Sequence, residues 1–295
     1  MSFSSTLLCK MFSVGDRKRD EGLTTPQDIE RWDHISYGPD VEWNRLDVYR
    51  PKNRTGKIPV IVSVHGGGWV YGDKEAYQWY CMNLAQRGFA VVNFTYRLAP
   101  KHIFPAQMED TNRVFHWVLT HAEEYGFDRE KIYAVGDSAG GHILALYTCI
   151  CTDSEYASVY EFQAPKGFVP KALGLNCGVY DIHKAISDNA LGMMKNLIRD
   201  GLGKDYRRIA EQANVISHVN KDFPPTFIMT STGDFLFAQA AILAERLEKL
   251  GVSYEYKVYG TQRNKLPHVF HCNIKVEEAR LCNDEETAFF LKTVE

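Results

Sequence analysis

One short stretch, Gly136-Asp137-Ser138-Ala139-Gly140, restricts the fold more than any other part of the sequence. It stands between an apolar run with strand character at residues 131–135 and a helical pattern at residues 139–152. A G-x-S-x-G pattern between a strand and a helix is typical of a tight turn that holds the serine side chain away from the backbone. Glycines suit positions 136 and 140 because such a turn brings backbone segments too close for a Cβ atom. The alternative is a Gly-Ser turn without chemistry, because a five-residue pattern also arises by chance.

Apolar runs alternate with helical patterns along most of the chain. The runs predicted as buried strands are residues 58–64, 89–94, 131–135, 172–177 and 226–230, with further strands at 34–37, 44–49 and 252–259. Helical patterns occupy residues 77–87, the stretch after Phe104-Pro105-Ala106, residues 139–152, the stretch that Gly251 ends, and residues 285–293. The alternation predicts an α/β fold with a mostly parallel central sheet, helices on both faces, and a single domain over residues 1–295.

Two stretches depart from this alternation. Residues 1–31 contain a charged patch at positions 16–21, and we predict a short helix that begins near Thr25-Pro26, with the proline in its first turn. Residues 181–218 have the character of short polar helices without a strand between them. Both stretches are therefore expected to lie over the domain and not in its core.

Composition and charge exclude several classes of protein. The 34 basic and 37 acidic residues give a net charge of −3 and are interspersed, so nothing indicates nucleic-acid binding. No run approaches the roughly 18 apolar residues of a membrane span, and the first 14 residues make a poor signal peptide. Seven cysteines without metal-ligand spacing are typical of reduced, mostly buried thiols, which predicts a cytoplasmic protein without a metal site.

Acyl transfer by a serine requires a base, a carboxylate that orients the base, and N–H donors for the oxyanion. In α/β-hydrolases the order along the chain is serine, acid, histidine, and Ser138, Asp234 and His268 fit that order. Asp234 also precedes a helical run, so a helix N-cap is an alternative role. His271 competes with His268 because the two share a loop. Asp137 adjoins the serine and cannot reach around to the imidazole.

Six motifs in order along the chain strengthen this interpretation. The chain resembles the hormone-sensitive-lipase-like branch of the α/β-hydrolases, the bacterial family IV esterases, over residues 34–293. That resemblance implies an α/β-hydrolase fold with a small helical cap formed by residues 1–31 and 181–218. The motifs are His65-Gly66-Gly67-Gly68-Trp69, Tyr96-Arg97-Leu98-Ala99-Pro100, Phe104-Pro105-Ala106, Gly136-Asp137-Ser138-Ala139-Gly140-Gly141, Asp234-Phe235-Leu236 and His268-Val269-Phe270.

The resemblance also implies roles for individual residues. Ser138 would be the nucleophile, His268 the general base and then the general acid, and Asp234 the residue that orients the histidine. The backbone N–H groups of Gly67, Gly68 and Ala139 would form the oxyanion hole, and no metal or cofactor is needed. His65 is expected to brace the glycine loop by hydrogen bonding, and His142 to be packed or hydrogen bonded within its helix.

The chain departs from the family's pattern near two of these residues. The family commonly has a proline after the acid and a second aspartate soon after it, whereas this chain has Asp234-Phe235-Leu236-Phe237. We expect an altered wall near the triad there. Val269 follows the candidate histidine where the family usually has glycine, and this could shift the loop.

We expect a carboxylic ester hydrolase that acts on a small-molecule ester, with Trp69 and Tyr71 lining the substrate pocket. Ordinary packing is the alternative role for these aromatic residues. A modest cap without an exposed apolar lid favours short acyl groups, acetyl to butyryl or hexanoyl, over interfacial lipase action. Two other functions fit the resemblance: an acetyl or feruloyl esterase on plant-polysaccharide fragments, and a non-catalytic small-molecule receptor of the same fold. A homodimer is one compatible assembly.

Overall fold

A computed structural model describes residues 1–187 and 193–293 of the chain. Residues 188–192 fall within the predicted cap stretch 181–218, and residues 294 and 295 fall within the predicted domain of residues 1–295. Those parts of the two predictions lie outside the described residues.

The described strands form a single eight-stranded sheet with the order β1-β2-β4-β3-β5-β6-β7-β8, in which the labels follow the chain. β1 pairs with β2 and β2 with β4 in antiparallel fashion, and all other pairs are parallel. The predicted mostly parallel sheet is therefore confirmed. The strands are β1 (Ile29–Ser36), β2 (Arg45–Pro51), β3 (Ile58–Val64), β4 (Ala90–Thr95), β5 (Phe127–Asp137), β6 (Leu173–Asn176), β7 (Thr226–Ser231) and β8 (Tyr254–Tyr259).

Helices connect these strands and cover the sheet. A 3₁₀ helix, Phe270–Cys272, follows the loop that holds the candidate histidine. The α-helices are α1 (Phe3–Asp20), α2 (Lys74–Ala85), α3 (Ala106–Thr120), α4 (Ala122–Tyr125), α5 (Ala139–Thr152), α6 (Ser154–Ala157), α7 (Ile182–Ser187), α8 (Met193–Leu202), α9 (Tyr206–Ile209), α10 (Val215–His218), α11 (Phe237–Leu250) and α12 (Glu277–Lys292).

The apolar side chains of the sheet divide between two cores, one on each face. In β3, Val60, Val62 and Val64 belong to the core that also takes in the apolar faces of α3, α5 and α11. Ile61, between them, belongs to the second core, with α2 and α12. Successive side chains of a strand point to opposite faces, so an all-apolar strand can be buried on both of them. This confirms the predicted helices on both faces of the sheet.

The N-terminal prediction needs a correction. No helix begins at Thr25-Pro26; these residues are irregular and a turn follows at residues 27–28, and β1 begins at Ile29, which pairs with Pro51 of β2. The helix of this region is α1, whose N-cap Ser2 accepts a hydrogen bond from the Ser5 N–H group. Residues 29–31 therefore belong to the sheet and not to a cap, because the edge of β2 offers them a pairing partner. The last helix also begins earlier than predicted, at Glu277.

The two predicted cap stretches contact each other through α1 and α8, although they are far apart in sequence. The Ser2 N–H group donates to Asp200 Oδ2 at 2.7 Å, and the Asn196 amide donates to Ser4 Oγ at 3.0 Å. Within residues 181–218, the described part is helical or irregular and contains no strand. No helix in the described ranges combines the length and apolar character that a bilayer crossing would require.

Candidate active site

Ser138 occupies a strained turn between β5 and α5. Its backbone has φ 51° and ψ −118°, a conformation that side chains other than glycine rarely adopt. The two flanking glycines make the turn feasible. A Cβ atom at Gly136 would lie 2.6 Å from the Gly140 carbonyl oxygen, and one at Gly140 would collide with the Val64 carbonyl oxygen. The G-x-S-x-G pattern thus forms the predicted tight turn, and the N-terminus of α5 begins directly after the serine.

His268 and Asp234, 34 positions apart in sequence, form a direct hydrogen bond. His268 Nδ1 lies 2.7 Å from Asp234 Oδ1, and the carboxylate also accepts from Thr230 Oγ1 and from the Leu236 N–H group. Burial opposes ionisation of Asp234, but these hydrogen bonds and the adjacent imidazole keep the pKa of its carboxyl below the ordinary value. An ionised carboxylate only accepts, so Nδ1 of His268 carries the proton and Nε2 is left as the basic nitrogen.

Ser138 and His268 line one pocket together with the three predicted oxyanion-hole residues. This pocket takes in about 640 Å³ of space, part of it open to solvent. Asp234 lies behind His268, with its side chain removed from solvent. The structure therefore brings together the residues that the sequence nominated. The other residues of the pocket wall are Phe12, Asp16, Arg19, Gly66, Trp69, Tyr71, Tyr77, Asp137, Val179, Met194, Leu197, Phe235 and Val269.

The backbone of the glycine loop faces the same pocket. Gly66 donates its N–H group to the Tyr77 hydroxyl at 2.9 Å and is not available to a substrate, whereas Gly67 and Gly68 donate to no group of the described chain. Gly67 has φ 116°, and a Cβ atom there would collide with the Tyr71 carbonyl oxygen. Across the pocket, Ala139 opens α5, and the first N–H groups of a helix have no partner within it. Three backbone donors thus border the space beside Ser138.

His65 braces this loop, as predicted. Its Nδ1 lies 2.7 Å from the Gly66 carbonyl oxygen, which can only accept, so Nδ1 carries the proton. The ring stacks on Tyr96, with centroids 3.9 Å apart. Burial lowers the pKa of His65 to about 4, so the imidazole is neutral near pH 7 and takes a structural role.

The structure gives structural roles to Asp137 and His271, the two alternative candidates for the triad. Asp137 accepts a hydrogen bond from the Tyr77 hydroxyl at 2.7 Å, and burial raises the pKa of its carboxyl to about 6. His271 is fully buried beneath the pocket against the Tyr80 ring, and its Nδ1 has no partner among the described residues. Burial lowers the pKa of His271 to about 3. His268 is the histidine of this loop that lines the pocket, whereas His271 is absent from the pocket lining and fully buried.

The two predicted substrate-binding aromatic residues both line the pocket, and both are held by other groups. The Trp69 indole N–H group donates to His142 Nδ1 at 3.3 Å, and His142 Nε2 donates to the Ala213 carbonyl oxygen at 2.7 Å. The Tyr71 hydroxyl donates to Asp16 Oδ2 at 2.8 Å. His142 is packed and hydrogen bonded, as predicted, and burial lowers its pKa to about 4.

Sequence reasoning did not nominate the part of the wall that comes from α1. Phe12 lies near Tyr71, with ring centroids 5.8 Å apart, and Arg19 pairs with Asp16 at 3.0 Å. The charged patch at positions 16–21 signalled that this segment contacts something, without showing what. Phe235, at the position where the family commonly has proline, forms part of the wall with its ring centroid 4.3 Å from that of His268.

Two groups of described residues bring metal-ligating atoms within 4.8 Å of one another. Asp137, His271 and Cys272 form one beneath the pocket, and Cys177 joins Asp234 and His268 in the other. In the second group the carboxylate and the imidazole already satisfy each other through their hydrogen bond. The prediction that the chemistry needs no metal or cofactor remains a prediction.

The fold and the pocket define an α/β-hydrolase with a serine, a histidine and an aspartate at the positions that this class uses. Comparison with known proteins gives a narrower assignment. The chain belongs to the family described as BD-FAE, whose family model matches residues 46–247. The resemblance to the hormone-sensitive-lipase-like branch of the α/β-hydrolases is thereby confirmed, since its relatives and structural neighbours are named as esterases.

Among related sequences, a probable carboxylic ester hydrolase of Mycobacterium tuberculosis, LipM, is 32% identical over 209 residues, covering 68% of this chain and 48% of its own length. The versiconal hemiacetal acetate esterase of Dothistroma septosporum is 26% identical over 265 residues, covering 82% of this chain and 75% of its own. The chain thus spans about half the length of some of the curated relatives that it matches.

Among solved structures, esterase B of Lactobacillus rhamnosis superposes with a TM-score of 0.91 at 25% identity, with 98% of this chain and 93% of that chain covered. An esterase of Pyrobaculum calidifontis superposes with a TM-score of 0.79 at 25% identity, covering 100% and 95% of the two chains. Both comparisons confirm the predicted α/β-hydrolase fold.

Proposed function

We propose that this chain is a serine carboxylesterase that hydrolyses short-chain acyl esters of small alcohols. The observation that carries the proposal is the pairing of His268 with the ionised Asp234 in the pocket that also holds Ser138. A base held in one tautomer beside a serine on a strained turn is the arrangement that nucleophilic catalysis requires. The receptor alternative has less support, because all three positions keep reactive side chains.

The proposed reaction has two halves. Ser138 Oγ attacks the ester carbonyl while His268 Nε2 takes its proton, and the tetrahedral intermediate collapses as His268 returns that proton to the leaving alcohol. A water molecule then attacks the acyl-enzyme, with His268 as base, and the acid is released. Asp234 keeps the proton on Nδ1 throughout and stabilises the imidazolium that forms in each half.

The oxyanion of both intermediates would be held by the N–H groups of Gly67, Gly68 and Ala139. The absence of any other acceptor for the two glycine donors within the described chain supports this role. The Tyr77 hydroxyl already engages Gly66, which favours this register of the loop over one that is shifted by a residue. Loss of one such donor costs on the order of 3 kcal/mol of transition-state stabilisation.

Short acyl groups are proposed because large side chains crowd the serine. A Cβ atom added at Gly68 would lie 3.0 Å from Leu197 Cδ2 of α8, and Trp69 is buried and hydrogen bonded to His142. Met194 and Phe12 add to the same wall. We further propose that residues 1–28 and the described part of 181–218 act as the cap that limits acyl length and excludes water.

The decisive experiment compares wild type with Ser138→Ala on p-nitrophenyl esters from acetate to decanoate. We expect the variant to lose at least about 10⁴-fold in kcat, because the nucleophile is removed. Ser158→Ala, at an exposed serine of another helix end, is the matched control and should retain full activity. Near-wild-type turnover by Ser138→Ala would refute the mechanism, and a rate maximum above C10 would refute the short-chain preference.

The alternative substrates are tested with the same two proteins. Acetylated xylo-oligosaccharides and feruloyl esters join the panel, and release of acetate or ferulate is measured by chromatography. A kcat/KM for one of these that exceeds the value for p-nitrophenyl butyrate would assign the acetyl or feruloyl esterase function. The aromatic residues Trp69, Tyr71 and Tyr77 of the pocket wall are compatible with either kind of substrate.

A cytoplasmic location is proposed on the state of the cysteines. All seven are free thiols, and five of them are buried. Buried thiols without partners are typical of proteins made in a reducing compartment. A homodimer stays a prediction, which sedimentation velocity of the purified chain would test.

A further inference from the structure

The outer face of α1 carries an apolar stripe that nothing in the described chain covers. Its members are Phe3 (87% exposed), Leu7 (51%), Met11 (61%) and Val14 (58%). Their spacing of four, four and three positions places them on one side of the helix. Monomeric proteins rarely expose several large apolar side chains in a row, and such patches mark sites of interaction.

The charges of α1 are divided between its two faces. The charged residues that are exposed are all cationic: Lys10, Arg17 and Lys18. The two carboxylates of the helix are held inward by partners, since Asp16 pairs with Tyr71 and Arg19, and Asp20 with Arg19. The outer face of α1, all of which the structure describes, therefore combines four apolar side chains with three cations, and its one exposed anion is the C-cap residue Glu21 at the end of the helix.

This combination matches helices that lie in the plane of an anionic membrane surface, with apolar side chains among the acyl chains and cations near the headgroups. We propose that the outer face of α1 docks the protein onto an anionic phospholipid bilayer. The inner face of the helix contributes Phe12, Asp16 and Arg19 to the pocket wall. A docked α1 would thus hold the pocket beside the membrane, where esters partition from water.

A second copy of the chain is the main competing occupant. In a two-fold dimer the same patch packs against itself, so the interface would gather Lys10, Arg17 and Lys18 of both copies without a carboxylate of the outer face to offset them. An anionic surface complements both the apolar and the charged residues of the face. The sequence-based expectation of no exposed apolar lid is wrong for this helix, because four of its apolar side chains point outward, although Leu8, Cys9 and Phe12 face the domain.

The test measures co-sedimentation of the full chain with vesicles of phosphatidylcholine alone and with 30% phosphatidylglycerol. We expect binding to the anionic vesicles, weakened about fivefold for each of Lys10→Gln and Lys18→Gln at low salt. Leu7→Gln combined with Met11→Gln should weaken it at least about tenfold, because two apolar side chains no longer enter the acyl region. Leu281→Gln, at an equally exposed leucine of α12 (51%), is the matched control and should bind like wild type.

Three results would overturn the proposal: no binding to anionic vesicles, equal binding to both vesicle types, or the same loss for Leu281→Gln as for the double variant. If the protein does not bind vesicles but dimerises with rising concentration, and the double variant abolishes this dimerisation, the face would be assigned to a second copy. Circular dichroism of each variant checks that the helix content of the protein is unchanged. These readouts do not use hydrolysis, so they stand apart from the test of the proposed esterase activity.

Discussion

The hydroxyl of Tyr77 donates to Asp137 Oδ2 at 2.7 Å, so a side chain of α2 is tied to the residue that precedes the candidate nucleophile. The hydroxyl oxygen of Tyr77 also accepts a hydrogen bond from the Gly66 N–H group at 2.9 Å. Tyr77 and Asp137 are both buried. A single phenol thus joins the turn at Ser138 to the glycine loop.

Tyr77→Phe should therefore destabilise the protein by about 1–3 kcal/mol, because it leaves a buried carboxyl and a buried N–H group without their partner. Tyr80→Phe is the matched control from the same helix. The Tyr80 hydroxyl lies 3.4 Å from Glu286 Oε2, so Tyr80→Phe should lose less stability than Tyr77→Phe. Urea unfolding measures both, and a Tyr80→Phe loss equal to that of Tyr77→Phe would contradict the importance of the bridge.

Because the carboxyl of Glu286 is buried, we expect its replacement to raise the free energy of unfolding by an amount that depends on pH. Burial raises its pKa to about 7, although Asn176 and Tyr80 donate to it. The unfolded chain has a pKa near 4.3 for this group, so the folded state binds the extra proton and stability falls as pH rises from about 4.3 to 7. Glu286→Gln keeps an acceptor for Asn176. Its free energy of unfolding relative to wild type should be about 2–3 kcal/mol higher at pH 8 than at pH 5.

Urea midpoints of wild type and Glu286→Gln at pH 5 and pH 8 measure this difference. Glu277→Gln, on the exposed first turn of the same helix, is the control and should shift both midpoints alike. A Glu286→Gln effect that is the same at both pH values would show that the carboxyl is already ionised at pH 5.

Gly67→Ala tests the conformation of the oxyanion loop. The added Cβ would collide with the Tyr71 carbonyl oxygen, and the φ of 116° is itself unfavourable for alanine. We expect kcat to fall at least about 100-fold, because the displaced loop no longer presents its N–H group to the substrate. Gly251→Ala, also at positive φ but with open space around it, isolates the backbone cost and should leave ester hydrolysis unchanged. Equal activity in the two variants would argue against a role for the loop.

Leu197→Ala tests whether α8 sets the acyl length. Leu197 is buried against Gly68 and lines the pocket, so its truncation opens space beside Ser138. The preferred p-nitrophenyl ester should lengthen by two or more carbons, by a rough estimate from the three carbon atoms removed. The expected cost in stability is about 2–5 kcal/mol. Leu243→Ala, in the core far from the pocket, should cost similar stability without changing the chain-length profile.

Asp234→Asn tests the orientation of the base. An amide in place of the carboxylate presents an N–H group to His268 Nδ1 and favours the wrong tautomer, so kcat should fall by about 10⁴-fold while KM changes little. The matched control is Asp222→Asn, at an exposed aspartate outside the pocket. Retention of more than a tenth of the wild-type kcat would show that Asp234 does not orient the base.

Much of the fold follows from local patterns. The apolar runs of β3, β4 and β7 and the glycine-flanked turn at Ser138 are each short enough for neighbouring residues to specify. Helix α1 was not predicted, because its apolar residues are divided between its outer and inner faces, so the sequence shows no single core-facing stripe. The irregular stretch at Thr25-Pro26 was mistaken for a helix start because the pairing of β1 with β2, which follows it, depends on residues further along the chain.

The sequence by itself determined the alternation of strands and helices from β3 onward, the tight turn at Ser138, and the small set of histidines and aspartates from which a triad could be drawn. Tertiary structure decided between His268 and His271, since one imidazole meets Asp234 in the pocket and the other is buried beneath it. It also decided that the Tyr77 hydroxyl donates to Asp137 and that α1 forms a wall of the pocket. Local propensity reaches only a few residues along the chain, whereas these contacts depend on which distant segments the folded sheet brings together.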